Sequence, residues 1–469
     1  MKYKSRFHAF VNKHRSVMGK FLFSLCFCIF YVLQMTLSAA QTEDARLKID
    51  LLEQQVRILR KENDSLKQEL NQYRLDKKIH QLELDVSRIR GLEIKKQLET
   101  KFMTKDELLQ YIESELTRQY PGENLAMYQE CLIRLGFIPE KTDIKETLKG
   151  LFSEQVAGLY DDTSKRLFIM NNFNLNETVS DVILAHEICH ALQDQNFNIG
   201  AMDLRQPDND DAVYARLSIL EGDATILMTE WFQQNITLTS AFQIMNMMGL
   251  DQSAFNNAPY FLQQILIFPY LQGSAFVMQV MSERGEEGRN EIFRNPPLST
   301  EQIIHPEKYL SEWDAPTTNI VLPESFLMDD ETGVMENVRW LRKYYNVFGE
   351  MGFKLLFEQY MTGDDAAQAA AGWNGDCYGL FESKDKMLLI FWESAWDSPK
   401  DADEAANGLR RVIAGRYPKW KMAKSPAPGY LMWVPPSTIW GDKSRIILSH
   451  KDKGVFLNLT YRKENSQPR

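Results

Sequence analysis

Cysteine and histidine are both scarce in this chain. Five cysteines occur in 469 residues, and only Cys131, Cys189 and Cys377 follow residue 40. Three is an odd number, so a disulfide framework cannot be what holds the fold together. Seven histidines are present, four of them after residue 100, so any close pair of them is informative. Residues 43–100 contain no proline and one glycine, Gly91, which fits a long helix. Acidic residues are missing from the first forty positions, which carry six Lys or Arg. The net charge is −10, so residues 41–469 carry −16. A body that acidic argues against nucleic acid or an anionic membrane surface as its main partner. A glycine-rich phosphate loop, a serine nucleophile elbow and a paired-carboxylate signal are also absent. What remains is ordinary globular material, 44% hydrophobic and 25% charged, long enough for two or three domains.

The N-terminus reads as an address. Lys2, Lys4, Arg6, Lys13, Arg15 and Lys20 precede an apolar run from Phe21 to Leu37, and Ser38 and Ala40 follow in small-x-small spacing. These are the three regions of a secretory signal. Cleavage after Ala40 and retention as a signal anchor are both compatible with it. Either outcome puts the body outside the cytoplasm (periplasmic, secreted or anchored), with membrane contact only through this segment if it stays uncleaved.

A heptad stretch follows. With Ile49 at position a, Val56, Asn63 and Leu70 recur at a, and Leu52, Leu59, Leu66 and Tyr73 at d. One Asn at a, with Leu at d, favours two parallel strands in register. Glu62 and Glu69 would meet Lys67 and Arg74 of a partner helix. The seam then shifts to Leu75, Ile79, Leu82, Val86 and Ile89, a stutter-like break. A parallel homodimer through residues 43–100 is expected; a single amphipathic helix packed on the body is the other reading. The expected divisions are therefore 1–40, signal or anchor; 41–100, coiled-coil stalk; 101–365, the main domain; and 366–469, a C-terminal α+β subdomain.

Within the body the patterns predict an α+β fold, mainly α. Helices are expected over Asp106–Tyr120, Leu125–Gly136 and Ser180–Gln234, the last broken by a loop at Gly200–Asp210. A β-hairpin is expected at Val156–Tyr160 and Arg166–Met170. An apolar helix should cover 240–283, a loop Gly285–Pro323, and helices 331–361 and 401–415. Lys386–Trp392, Tyr430–Val434, Arg445–Ser449 and Val455–Tyr461 read as strands. Trp373, Trp392 and Trp396 belong in a core.

The chemistry sits in His186-Glu187-Ile188-Cys189-His190, with Ser180 a plausible cap for its helix. Two His at i and i+4 lie one turn apart on one face, within reach of a single Zn2+. Glu187 lies about 100° round the helix, placed to take a proton from a zinc-bound water. The neighbours Val182, Ile183, Leu184, Ile188 and Leu192 are apolar, so both His should be buried, and buried imidazoles need partners. Glu221 is the candidate third ligand, a lone carboxylate in an apolar stripe with Tyr214, Leu217, Ala224 and Met228. Glu230 and Asp194 are weaker candidates. Gly222 suggests close approach to the His-bearing helix, and Asp223 is either an acceptor for a ligand imidazole or exposed. His305, Tyr270 and Tyr309 are candidates to stabilise an oxyanion, with core packing the preferred reading of Tyr270. Cys189 reads as packing, and Asp208, Asp210 and Asp211 as helix capping.

At these residues the chain resembles the gluzincin zinc metallopeptidases, the thermolysin-like group with two His and a Glu on a following helix. Thirty residues separate His190 from Glu221, a longer interval than in thermolysin. A closer resemblance, covering most of the body, is to uncharacterised bacterial exported proteins that pair an HExxH-ALQDQ helix with an EGDA helix. It rests on Ala191–Gln195, Glu221–Ala224, Phe268-Pro269-Tyr270 with Gly273, Ser299–Gln302, His305–Tyr309, and Ala370–Trp373 with Gly375-Asp376. The resemblance implies a zincin-like metallopeptidase domain. The expected function is an exported zinc metalloprotease acting on a peptide or protein substrate. A non-catalytic scaffold that binds a partner through its coiled coil is the alternative, and hydrolysis of a non-peptide bond stays open.

Overall fold

The computed structural model describes residues 28–29, 43–155, 158–171, 178–235, 253–311, 318–328, 338–424, 428–436 and 444–462. The signal-like segment, apart from residues 28–29, lies outside these, as does the Met-rich stretch 240–252. The chain divides into two compact units, residues 1–78 and 79–469.

Helix α1, Glu43–Arg90, begins in the first unit and ends in the second. It contains no residue that breaks a helix, and i,i+3 and i,i+4 pairs such as Arg57–Glu53 and Lys67–Asp64 line its surface. Within the first unit every heptad a and d position from Ile49 to Tyr73 is half-buried, whereas Leu51 and Ile58 are exposed. Gly91, at φ +72, ends the helix with a left-handed residue. The division falls at Lys78 and not near residue 100, because Leu82, Val86 and Arg90 are buried within the second unit.

The second unit continues with β1 (Glu99–Met103), α2 (Lys105–Gln119), α3 (Asn124–Leu135), α4 (Ile144–Gln155), β2 (Gly158–Asp161), β3 (Arg166–Met170), α5 (Thr178–Phe197) and α6 (Asp210–Asn235). Strands β1 to β3 form a small sheet in the order β1-β3-β2, with β1 parallel and β2 antiparallel to β3. Thr104 and Glu107 form a capping box that starts α2. The apolar stripe Leu108, Ile112 and Leu116 of α2 then packs with Met103 and Met170 of the sheet.

Next come α7 (Ser253–Asn257), α8 (Tyr260–Arg294), α9 (Thr300–Ile304) and α10 (Pro306–Leu310). Helix α8 runs past the residue where a loop was expected. Gly285 adopts φ +62 and kinks it, and helix resumes to Arg294. Among the described residues α8 is the one helix long and apolar enough to cross a bilayer. Phe276, Val277 and Val280 are fully buried within the unit, whereas Leu271 and Met278 are exposed. It crosses α6 at near backbone contact: a Cβ on Gly222 would lie 2.3 Å from the Gly273 carbonyl carbon. Gly222 thus serves the approach of α8 and not, as expected, that of α5.

The rest is β4 (Ser325–Met328), β5 (Val338–Asn346), α11 (Gly349–Glu358), α12 (Gly363–Ala370), β6 (Trp373–Ser383), β7 (Met387–Trp396), α13 (Pro399–Arg416), β8 (Lys421–Ala423), β9 (Tyr430–Val434), β10 (Arg445–Lys451) and β11 (Gly454–Arg462). All eight strands join one antiparallel sheet, order β4-β5-β6-β7-β11-β10-β9-β8. Trp340, Trp373, Trp392 and Trp396 are its largest buried side chains. Of the helix expected over 331–361, residues 331–337 lie outside the described ones, and the rest is strand β5 followed by α11. Arg342 occupies the inward row between Trp340 and Tyr344, and the pairing with β6 slips between Arg342 and Tyr344, so the apolar alternation is masked. The α+β reading, mainly helical, holds.

Candidate metal centre

Leu184, Ala185, Ile188, Cys189 and Leu192 bury one side of α5 completely. His186 and His190 therefore emerge from its remaining face. Their Nε2 atoms lie 3.1 Å apart, with the rings nearly perpendicular. Glu221 arrives from α6, its Oε2 3.0 Å from His186 Nε2 and 3.5 Å from His190 Nε2. The three side chains are 12%, 13% and 19% exposed in that order. Donor atoms of this group all lie within 4.8 Å of one another. A tetrahedral Zn2+ with bonds near 2.0–2.1 Å requires donor-to-donor edges of about 3.3 Å. The donor set fits that ion in both chemistry and spacing.

Glu187 stands beside this donor group and is not part of it. Its Oε2 accepts from the backbone N–H of Tyr160 on β2 at 2.9 Å, so its carboxylate is held between α5 and an outer strand of the small sheet. Burial raises the Glu187 carboxyl above its ordinary value. Burial acts against charge on His190, but Glu221 and Glu187 outweigh it and bring the imidazolium to about 9. Burial also opposes the Glu221 carboxylate, yet His190 and His186 overcome it and keep the group ionised.

Tyr270 of α8 stacks over His186, ring centroids 6.0 Å apart at 22°, and is 39% exposed. Glu221 beside it and partial burial push its hydroxyl well above the usual phenol range. Core packing, the preferred sequence reading, is therefore not its position. His305 is not brought to this cluster. Its Nε2 meets Glu350 of α11 at 2.8 Å and its Nδ1 faces Glu307. Tyr309 donates to the Asn295 carbonyl at 2.7 Å. Asp194 accepts from Tyr160 Oη and Lys165, tying the β2–β3 hairpin to α5, and Glu230 pairs with Arg289. Asn209 caps α6 through the Ala212 N–H. Asp208 and Asp211 bond Tyr345 and Thr300. Helix α5 begins at Thr178, which places Ser180 inside its first turn.

Three participants were not legible beforehand. His190 Nδ1 lies 2.9 Å from Gln193 Oε1, and Gln193 Nε2 donates to Asp223 Oδ2 at 2.8 Å. Asp223 is fully buried between Arg90 of α1 and Arg289 of α8, both also 0% exposed. Gln193 could have been suspected from its i+3 spacing to His190; the two arginines carried no local signal. Cys189 packs beside Asp223.

Residues 337–456, which span β5 to the start of β11, match the profile of a domain of unknown function, DUF8575. The metal-type cluster lies outside that match. None of the curated proteins compared matches the chain. Among solved structures, the chain is similar to one described as "a putative hydrolase with a novel fold" from Chloroflexus aurantiacus. The likeness has 18% identity, a TM-score of 0.35, and covers 51% of this chain and 88% of that one.

Proposed function

We propose that this protein is an exported zinc metallopeptidase with a zincin-like centre, in which His186, His190 and Glu221 hold the ion. The observation that carries the reading is the donor triangle of 3.0, 3.1 and 3.5 Å, joined to a separate half-buried carboxylate one residue along α5. A purely structural zinc site needs no Glu187. Bound there, Zn2+ supplies Lewis-acid polarisation and positive charge for a developing oxyanion.

The chain's own groups supply the rest. Glu187, its carboxyl raised by burial, takes the proton of the attacking water and delivers it to the leaving amine. The Tyr160 N–H fixes the carboxylate's aim. Strand β2 is the outer strand of its sheet, and no strand pairs beyond it among the described residues. An extended peptide running along β2 would bring its carbonyl to Glu187. Tyr270, stacked on His186, offers a hydroxyl for the tetrahedral oxygen. The heptad row of α1, with Asn63 at one a position and Leu at d, supports a parallel dimer carrying this body outside the cytoplasm.

The test is metal content paired with hydrolysis of a mixed peptide panel by the full-length chain and Glu187→Gln. One zinc per chain is expected in both, with cleavage falling about 10²- to 10⁴-fold in the variant. Zinc without cleavage in either protein would transfer the reading to a scaffold. Absence of zinc after reconstitution would remove the ligand assignment.

A further inference from the structure

Resting on that reading of the centre, we propose that Gln193, Asp223 and Arg90 form a positioning relay that fixes the His190 ring and makes the last turn of α1 part of the metal centre. The orientation of the Gln193 amide is decided by its surroundings. Its Nε2 faces two acceptors, Asp223 Oδ2 at 2.8 Å and the Leu220 carbonyl at 3.1 Å. The NH2 group must lie on that side, so Oε1 is the atom that meets His190 Nδ1 at 2.9 Å. An oxygen with no hydrogen can only accept, hence Nδ1 carries a proton in either charge state of the ring, and Nε2, which faces His186 and Glu221, is the nitrogen left to give up its proton to an incoming ion.

The relay is anchored by charge. Arg90 Nε donates to Asp223 Oδ1 at 2.8 Å and Oδ2 at 3.0 Å, and Arg289 Nε donates to Oδ1 at 2.5 Å. All three side chains are fully buried. Arg90 also reaches Asn290 and Arg289 lies on Glu230, so every part of the cluster has an opposing partner. A buried network of this kind is stiff only while complete. Loss of Arg90 would leave Asp223 to move toward Arg289, away from Gln193. The signal reaching the ligand is therefore set partly by α1, the helix that bears the heptads.

The experiment is zinc affinity of the full-length chain, measured by chelator competition, with the visible spectrum of the Co2+-substituted protein as a second readout. Gln193→Met, which cannot accept from Nδ1, should weaken zinc about 10- to 100-fold and alter the Co2+ spectrum. Arg90→Met should weaken it about two- to thirtyfold. Arg88→Met, two residues earlier on α1 and bonded to Gln234, should leave it unchanged. Circular dichroism of the zinc-free proteins separates unfolding from loss of affinity, and Arg90→Lys serves should Arg90→Met not fold. Unchanged affinity in folded Gln193→Met, or an equal loss in Arg88→Met, overturns the relay while leaving the metal centre standing. A wild-type chain that binds no zinc overturns both.

Discussion

At the scale of single residues, the centre depends on two glycines that touch no ligand. Glu221 is adjacent to Gly222, which packs on Gly273, and a Cβ on Gly273 would fall 2.0 Å from the Ser218 carbonyl oxygen. No neighbouring backbone can yield that far, so Gly273→Ala must push α8 away from α6. We expect a loss of about 1–3 kcal/mol in urea unfolding, and weaker zinc binding as α6 and Tyr270 shift relative to α5. A full-stability Gly273→Ala protein would contradict the observed crossing. The His-Glu-x-x-His pair and Glu221 were legible in the sequence because their chemistry is rare and their spacing local. Gly222 was noticed for the right property and assigned the wrong neighbour, since a glycine announces close approach but not what approaches.

At the scale of elements, α1 and α5 show what periodicity carries. Heptads, absence of proline and a single terminal glycine predicted one long helix, and α1 is that helix. Asn63 at an a position is the residue expected to set register and strand number, at a cost in stability. Asn63→Val should raise the thermal midpoint of the helix signal and broaden or increase the oligomeric state seen by sedimentation. A monomer in both proteins would dispose of the dimer proposal. Strand β5 illustrates the opposite case. Its inward Arg342 stacks on Tyr345 and donates to the Leu322 carbonyl, a tertiary solution that a charged residue in an apolar row does not advertise. Strand β6, which went unread, is buried at nearly every position, so alternation could not mark it.

At the scale of the second unit, buried carboxylates weld the helices that carry the centre to the large sheet. Asp211, at the start of α6, accepts from the Thr300 N–H, and Thr300 Oγ1 in turn accepts from the Met351 N–H of α11. Asp376 accepts from the Phe348 and Gly349 amides and from the indoles of Trp373 and Trp392. These contacts explain the Ser299–Gln302 and Gly375-Asp376 motifs as structural. Burial raises Asp211 to about 7 and Asp376 to about 6. A carboxyl raised in the folded state binds its proton there more tightly than in the unfolded chain, whose value is about 4. Its stabilising contribution is full below that value and is lost as pH rises through 6 to 7. Asp211→Asn should therefore gain stability relative to the parent between pH 5 and 8, on the order of 2 kcal/mol. Denaturant unfolding at both pH values would show it; a parallel pH dependence would refute it.

The amino-acid sequence by itself determined the long helix, the α+β composition, the hairpin beside the centre and the identity of the candidate ligands. Each of these rests on local periodicity, turn chemistry or the scarcity of a residue type. Tertiary structure decided which side chains serve those ligands. It put Tyr270 on His186 and sent His305 to Glu350, and it joined Gln193 to two arginines about one hundred residues or more away in the chain. Desolvation drives that outcome: once α5, α6 and α8 close on one another, every buried charge must find its partner wherever the fold provides one.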